Sequence, residues 1–435
     1  MSRRVEPSAL MRDIFRAAIL GLVSGLACVV VRLLFRSLQW LITGNAGLLS
    51  HAAEGLPPAL RAVIPAAGAL VALSVLWCAR RFQIRGRFEG YVEAVRLSEG
   101  SIRFLPTMVR TLSSAASVAS GAAIGREGSM IQFAAAATSW LGQRWAGGMP
   151  LATQVACGAA AAVAAVYQAP IAAVFFASEI VVGEIVVSTL PFLFVASFAG
   201  WAVGAWLLGK GPLFRVHGHL DVPLTLGHGW WLVATMPLLI GLLGPLYYWI
   251  LHSLRPMSKW PLALVWGGIL VGLLSLKSSL VWGNGDAALL EITRASPALW
   301  ILASVLGLRL LATAVCVGVG TVGGVFTPTL FTGGALGYLA AVYFHFPQPA
   351  AFAMLSMAAL LAAVTRAPLM ATFMTVELTG QWSFLPLVLA SAFIALAVAR
   401  KLSAHSLYAI ATPEPANDRL EQMPRDNREL AAQQI

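Results

Sequence analysis

The chain has 435 residues, a formal net charge of +11, 59% hydrophobic residues and only 11% charged ones. A soluble domain carries about a quarter charged residues, so this composition excludes one and points to an all-α polytopic membrane protein. The positive balance does not imply nucleic acid: the arginines gather in short loops and at helix ends, where the positive-inside rule puts them on cytoplasmic flanks.

Residues 1–16 mix charge with apolar positions. Leu10, Met11, Ile14 and Phe15 share one helical face, which predicts a short interfacial helix on the cytoplasmic side and no cleavable signal. Residues 17–42 read as the first span, 45–58 as a loop and 62–79 as the second span, followed by Arg80, Arg81, Arg85 and Arg87. Residues 88–97 predict a short helical piece. Residues 106–124, rich in serine and alanine, suit close helix packing. Gly125-Arg126-Glu127-Gly128 then sets two ionised side chains between glycines in apolar sequence. Ionised groups at such depth are paired, line water or act on an ion.

Residues 158–166 are nearly all alanine and predict a tightly packed interior helix, broken at Gln168-Ala169-Pro170. A helix over 171–179 and a span over 190–208 follow. Residues 217–228 form a polar external loop, in which His217, His219 and His228 read as solvated rather than metal-binding. Residues 230–254, 262–276 and 299–317 span again. Trp282-Gly283-Asn284-Gly285 reads as a turn, with Asp286 capping the next helix. Glycines and prolines cut the run beyond 317 into short helices, and 385–399 is the last full span. Residues 412–435 change to a charged, solvated composition and predict a disordered cytoplasmic tail. The four cysteines read as small apolar residues, and no cofactor or metal is expected.

Two segments repeat. Ala164-Ala165-Val166-Tyr167-Gln168-Ala169-Pro170 matches Ala362-Ala363-Val364-Thr365-Arg366-Ala367-Pro368 at an offset of 198 residues. Glu179 and Glu377 follow their prolines by nine residues each. The same offset sets Gly125-Arg126-Glu127-Gly128 against Gly323-Gly324-Val325-Phe326. Inverted repeats in membrane proteins bring broken helices face to face near the bilayer midplane. Helix N-termini carry free N–H groups and partial positive charge, so two of them converging make an anion site without a buried cation.

At these residues the chain resembles the ClC family of chloride channels and proton/chloride antiporters. The matching motifs are Gly125-Arg126-Glu127-Gly128, Gly324-Val325-Phe326-Thr327-Pro328, the two Ala-Pro segments and Tyr408. Tyr91-Val92-Glu93-Ala94, Trp282-Gly283-Asn284-Gly285 and Leu378-Thr379-Gly380 are similar to the bacterial ClcB-type branch. The resemblance covers residues 15–411. It implies a ClC-type transmembrane domain over 17–411, built of two inverted repeats (about 17–210 and 222–411) with some 18 tilted and broken helices. It also implies a homodimer in a bacterial-type inner membrane, surrounded by lipid, with both termini cytoplasmic. By position, Glu127 matches the family's gate. Gly125, Arg126, Gly128, Gly324, Val325, Phe326 and Tyr408 match its anion-binding positions, with Arg126 lining the path or serving structure.

Three departures bear on mechanism. The family's serine-bearing first motif corresponds to about Gly86-Arg87-Phe88-Glu89, which has no serine. Position 129 is Ser where the family usually has Pro. The antiporters' inner proton-passing glutamate corresponds to Ile180, which cannot carry a proton. Glu179 or Glu184 remains as a shifted donor, although Glu377 in the equivalent place of the other repeat favours a structural role for Glu179. The expectation is therefore a chloride channel, weakly or not proton-coupled. A proton/chloride antiporter is the alternative. A membrane-embedded enzyme is remote, since no His-Glu-x-x-His or comparable constellation occurs.

Overall fold

The computed structural model describes residues 7–82, 90–145, 148–209, 211, 214, 230–295, 297–346, 348–403 and 405–407. The stretch 83–89, the three histidines of 217–228, Tyr408 and the tail lie outside these. Among the described residues there is no β-strand, and seventeen α-helices follow in order.

The first half holds α1 (Pro7–Thr43), α2 (Leu49–Glu54), α3 (Pro58–Arg81), α4 (Tyr91–Leu97), α5 (Phe104–Ala119), α6 (Glu127–Gly142), α7 (Leu151–Tyr167), α8 (Pro170–Phe175) and α9 (Leu190–Leu208). The second holds α10 (Trp230–Ser253), α11 (Ala263–Ser275), α12 (Asp286–Ala295), α13 (Leu299–Gly318), α14 (Phe326–Tyr343), α15 (Pro349–Thr365), α16 (Pro368–Thr379) and α17 (Leu385–Leu402). Six of these helices are long and apolar enough to cross a bilayer, α1, α3, α9, α10, α13 and α17.

Three local expectations change. Among the described residues no separate interfacial helix precedes the first span: α1 runs unbroken from Pro7 for 37 residues. Nothing between Pro7 and Gly44 breaks it, and it stops where Gly44 takes φ +70. The loop over 45–58 contains the short helix α2. The helix expected over 171–179 is α only to Phe175, and then widens into a π-helix over Phe176–Val182 that ends at Gly183 with φ +101.

The sequence repeat is written in the backbone. Helices α7 and α15 have 17 residues each and stop on left-handed residues at matching positions, Gln168 (φ 56) and Arg366 (φ 66). The next residues, Ala169 (φ −126, ψ 75) and Ala367 (φ −120, ψ 79), leave the helical region because each precedes a proline, whose ring disfavours the helical conformation there. Pro170 and Pro368 then open α8 and α16. Arg366 donates to the carbonyls of Ala399, Ser403 and His405 and so ties α15 to the end of α17.

Both 17-residue helices are buried almost end to end. At ~1.5 Å per residue each is about 25 Å long, short of a ~30 Å hydrocarbon layer, so they suit the interior of the bundle. Their alanines have almost no lipid-facing bulk and allow neighbours to come close. At the α1–α9 crossing, a Cβ on Gly25 would stand 2.9 Å from the Val203 Cβ and 3.1 Å from the Gly200 carbonyl. Such small-residue contacts hold helices together where lipid supplies no hydrophobic drive.

Candidate functional site

The two glycine motifs meet at the centre. Gly125 N–H donates to the Gly324 carbonyl and Gly324 N–H donates back to the Gly125 carbonyl, both at 2.7 Å. This is an antiparallel bridge, as two segments of opposite direction must make. It sets the start of α6 beside the start of α14. Side chains do not fit there: a Cβ on Gly125 would lie 2.8 Å from the Gly324 carbonyl, and one on Gly128 3.1 Å from the Gly324 nitrogen. The flanking residues Arg126 and Val325 make no side-chain cap on either helix. The first-turn N–H groups therefore keep the donor capacity and positive potential of helix starts.

Glu127 is the first residue of α6 and is 5% exposed. Its Oε1 accepts a 2.7 Å hydrogen bond from Asn284 Nδ2 and lies 3.9 Å from Arg126 Nε. Its Oε2 is buried without a hydrogen-bond partner. Asn284 is presented by the Trp282–Gly285 turn. Arg309 of α13, 1% exposed, holds that turn: it donates to the carbonyls of Leu280, Val281, Trp282 and Gly283, with the last bond at 2.9 Å. The Arg309 guanidinium stacks on Phe331 of α14, 4.9 Å from the ring centre. Asp286, expected to cap α12, is its first residue, and the capping is shared. Asp286 Oδ1 accepts from Ala287 N–H, while the Asp286 N–H is taken by Asn284 Oδ1.

Residues of this cluster line two cavities. The larger, about 290 Å³, is lined by Glu127, Gly128, Gln132, Tyr167, Phe326 and Arg255, among others. The smaller, about 30 Å³, is lined by Gln39, Arg126, Asn284 and Asp286. The Glu127 carboxylate borders the first and its partner Asn284 borders the second, so their hydrogen bond lies in the wall between them. Tyr167 adds a buried hydroxyl bonded to Thr327 at 3.0 Å, with its ring against Phe326.

Of the residues expected from sequence, Gly125, Arg126, Glu127, Gly128, Gly324, Val325 and Phe326 come together here. Tyr408 is outside the described residues, but its neighbour Leu407 lines the larger cavity. Glu179 and Glu184 are elsewhere. Glu184 is exposed beyond the π-helix. Glu179 accepts from the N–H groups of Leu369 and Met370, at 3.3 and 2.8 Å, and so caps α16. Glu377 reciprocally accepts from Ile171 and Ala172, at 3.1 and 2.8 Å, and caps α8. Ile180 is 3% exposed, and its carbonyl accepts from Arg96. Asn284, Arg309 and Tyr167 were not expected at the site. Their only signals were the unusual Trp-Gly-Asn-Gly turn, the one charge in the apolar run of α13 and the one hydroxyl-bearing ring in the alanine run.

The sequence profile of the voltage gated chloride channel family matches residues 68–400. The chain belongs to the ClC family. A voltage-gated ClC-type chloride channel ClcB of Citrobacter koseri is 35% identical over 422 residues, covering 93% of this chain and all of that one. The ClcB of Shigella flexneri is 34% identical over 415 residues, covering 92% and 98%. Among solved structures, a slow cyanobacterial Cl⁻/H⁺ antiporter superposes with a TM-score of 0.78 at 23% identity, over 94% of this chain and 97% of that one. A CLC-type fluoride/proton antiporter does so with a TM-score of 0.72 at 21% identity, over 94% and 99%. At such identity these two share the ClC fold, and the fold alone. As a ClC member the chain is a multi-pass membrane protein of anion transport, not an enzyme.

Proposed function

We propose that this ClC protein conducts chloride passively and that Glu127 is its gate. The observation that carries the reading is the position of the Glu127 carboxylate. It stands at the paired starts of α6 and α14, in the wall between two cavities. An anionic side chain there occupies the place where backbone donors would otherwise hold a permeant anion. Backbone N–H groups bind an anion moderately and release it, as conduction requires. On this reading Gly125, Gly128, Gly324, Val325 and Phe326 supply or admit those donors, Arg126 attracts anions from the smaller cavity, and Tyr408 completes the central site.

The channel reading rests on Ile180. A buried isoleucine stands where the antiporters' inner glutamate belongs, and Glu179 is engaged in capping α16. Without an inner relay, Glu127 exchanges protons with one side of the membrane only. Proton/chloride antiport is the alternative reading, and two neighbours of the same fold are described as proton antiporters. The basic ends Arg80–Arg81 and Arg400–Lys401 support cytoplasmic termini in a bacterial-type inner membrane. The family resemblance supports a homodimer with one pathway in each subunit.

The deciding experiment reconstitutes the protein in liposomes and follows chloride and protons together. Chloride should run down its gradient with no stoichiometric proton movement. Uphill proton transport driven by chloride would establish the antiporter instead.

A further inference from the structure

We infer that Asn284 is a positioning residue that latches the Glu127 carboxylate in the wall between the two cavities. The inference rests on the gate reading above and adds a residue to it from the other half of the chain.

The geometry leaves Asn284 little choice of role. Its amide has two ends, an acceptor oxygen and a donor nitrogen. The oxygen accepts from the Asp286 N–H at the start of α12, so the nitrogen faces Glu127 and donates to Oε1 at 2.7 Å. The turn that carries it is clamped by Arg309, which spreads its guanidinium over four consecutive carbonyls and is fully buried. Gly285, the residue after Asn284, takes φ +102, and a Cβ there would stand 2.8 Å from the Phe331 Cβ. The donor is thus rigidly placed from behind, while Glu127 Oε2 on the other side has no partner. A fixed donor on one oxygen and a free second oxygen suit a carboxylate that is held when charged and released when protonated. A hydrogen bond to a charged group is about twice as strong as one between neutral groups.

Other charged or titratable groups share this neighbourhood. Arg126 lies at the start of α6, Arg32 comes from α1, Asp286 from α12 and Tyr167 from α7. Arg126 alone among them approaches Oε1 as a cation, and at 3.9 Å it makes no hydrogen bond. Asn284 is therefore the group whose removal acts on the carboxylate most directly.

The test compares chloride flux against pH in liposomes for the full-length wild type, N284S, N284A, E127Q and the double variant N284S/E127Q. Removing the donor weakens the charged form of Glu127. The pH profile of N284S and N284A should therefore move toward higher pH by about one unit, a tenfold change in proton affinity. In the E127Q background the N284S change should produce no shift of the pH profile, because no carboxylate remains to titrate. The serine variant guards against failure to fold, since a short hydroxyl still serves the α12 N–H without reaching Glu127. A wild-type pH profile in N284S, or an equal loss of flux with and without Glu127, would overturn the latch. If E127Q itself keeps the full pH dependence, the gate reading fails as well, so the two failures are distinguishable.

Discussion

Phe175 and Phe373 stack face to face, with ring centroids 5.0 Å apart and planes inclined by only 10°. They are the same position of the two repeats, 198 residues apart. A residue that touches its own repeat mate lies on the axis relating the halves. Around this axis α8 and α16 exchange caps, Glu179 reaching into α16 and Glu377 into α8. The first residue of each helix is proline, which has no N–H, so each carboxylate takes the next two free donors.

This exchange makes the glutamates equivalent structural clamps. E179Q and E377Q each retain one acceptor oxygen but lose the charge. Each should lower stability by about 0.5–2 kcal/mol, the range for losing a helix cap. Thermal unfolding in detergent should show similar shifts for both. A normal Tm for E377Q with a large fall for E179Q would argue that the clamps are not equivalent.

The same pair tests proton coupling. If Glu179 only caps α16, E179Q should leave the chloride-to-proton relation of the wild type unchanged in liposomes. Loss of proton movement in E179Q alone would make it a shifted donor for the gate.

The gate predicts a pH dependence of definite sign. Protonation removes the charge that competes with chloride, so flux should rise as pH falls on the side from which Glu127 is reached. E127Q carries no titratable group and should remain at high flux across the range. Changing pH on each face of the vesicle in turn should reveal a response from one face only. Equal responses from both faces would mean a proton path on the side of Ile180.

The Gly125–Gly324 bridge has no room for methyl groups. In G125A the new Cβ would meet the Gly324 carbonyl at 2.8 Å, and in G324A the Gly128 nitrogen at 3.1 Å. Each should cost about 1–3 kcal/mol as overpacking and separate the two helix starts. Chloride flux should fall in both variants even where the protein remains folded. Wild-type conduction by G125A would show that the close approach of the two starts is not required.

Arg309 should be among the most sensitive positions. R309A strips a charged donor from the carbonyls of Leu280 to Gly283, and each buried acceptor left unpaired costs about 1–3 kcal/mol. R309K keeps the charge but not the planar fork, so it should recover only part of the stability. Full stability in R309A would show that the turn holds itself.

Composition and uncharged runs alone determined that this chain is a membrane-embedded helical protein, because the bilayer's demand for apolar length and paired backbone is felt residue by residue. The internal repeat is equally legible, and by offset alone it puts Glu127 opposite the second glycine motif. Tertiary structure decided the rest. Asn284 is 157 positions from Glu127, and nothing local in its turn names that partner. Arg309 reads as one charge in an apolar helix until the turn from Leu280 to Gly283 is seen wrapped around it. The repeat favours a structural role for Glu179 over a proton carrier without naming its partners, and the bonds to Leu369 and Met370 supply them. Periodicity and composition report what each segment prefers by itself. Which buried polar groups satisfy one another depends on how the segments cross, and that is set by packing along the whole chain.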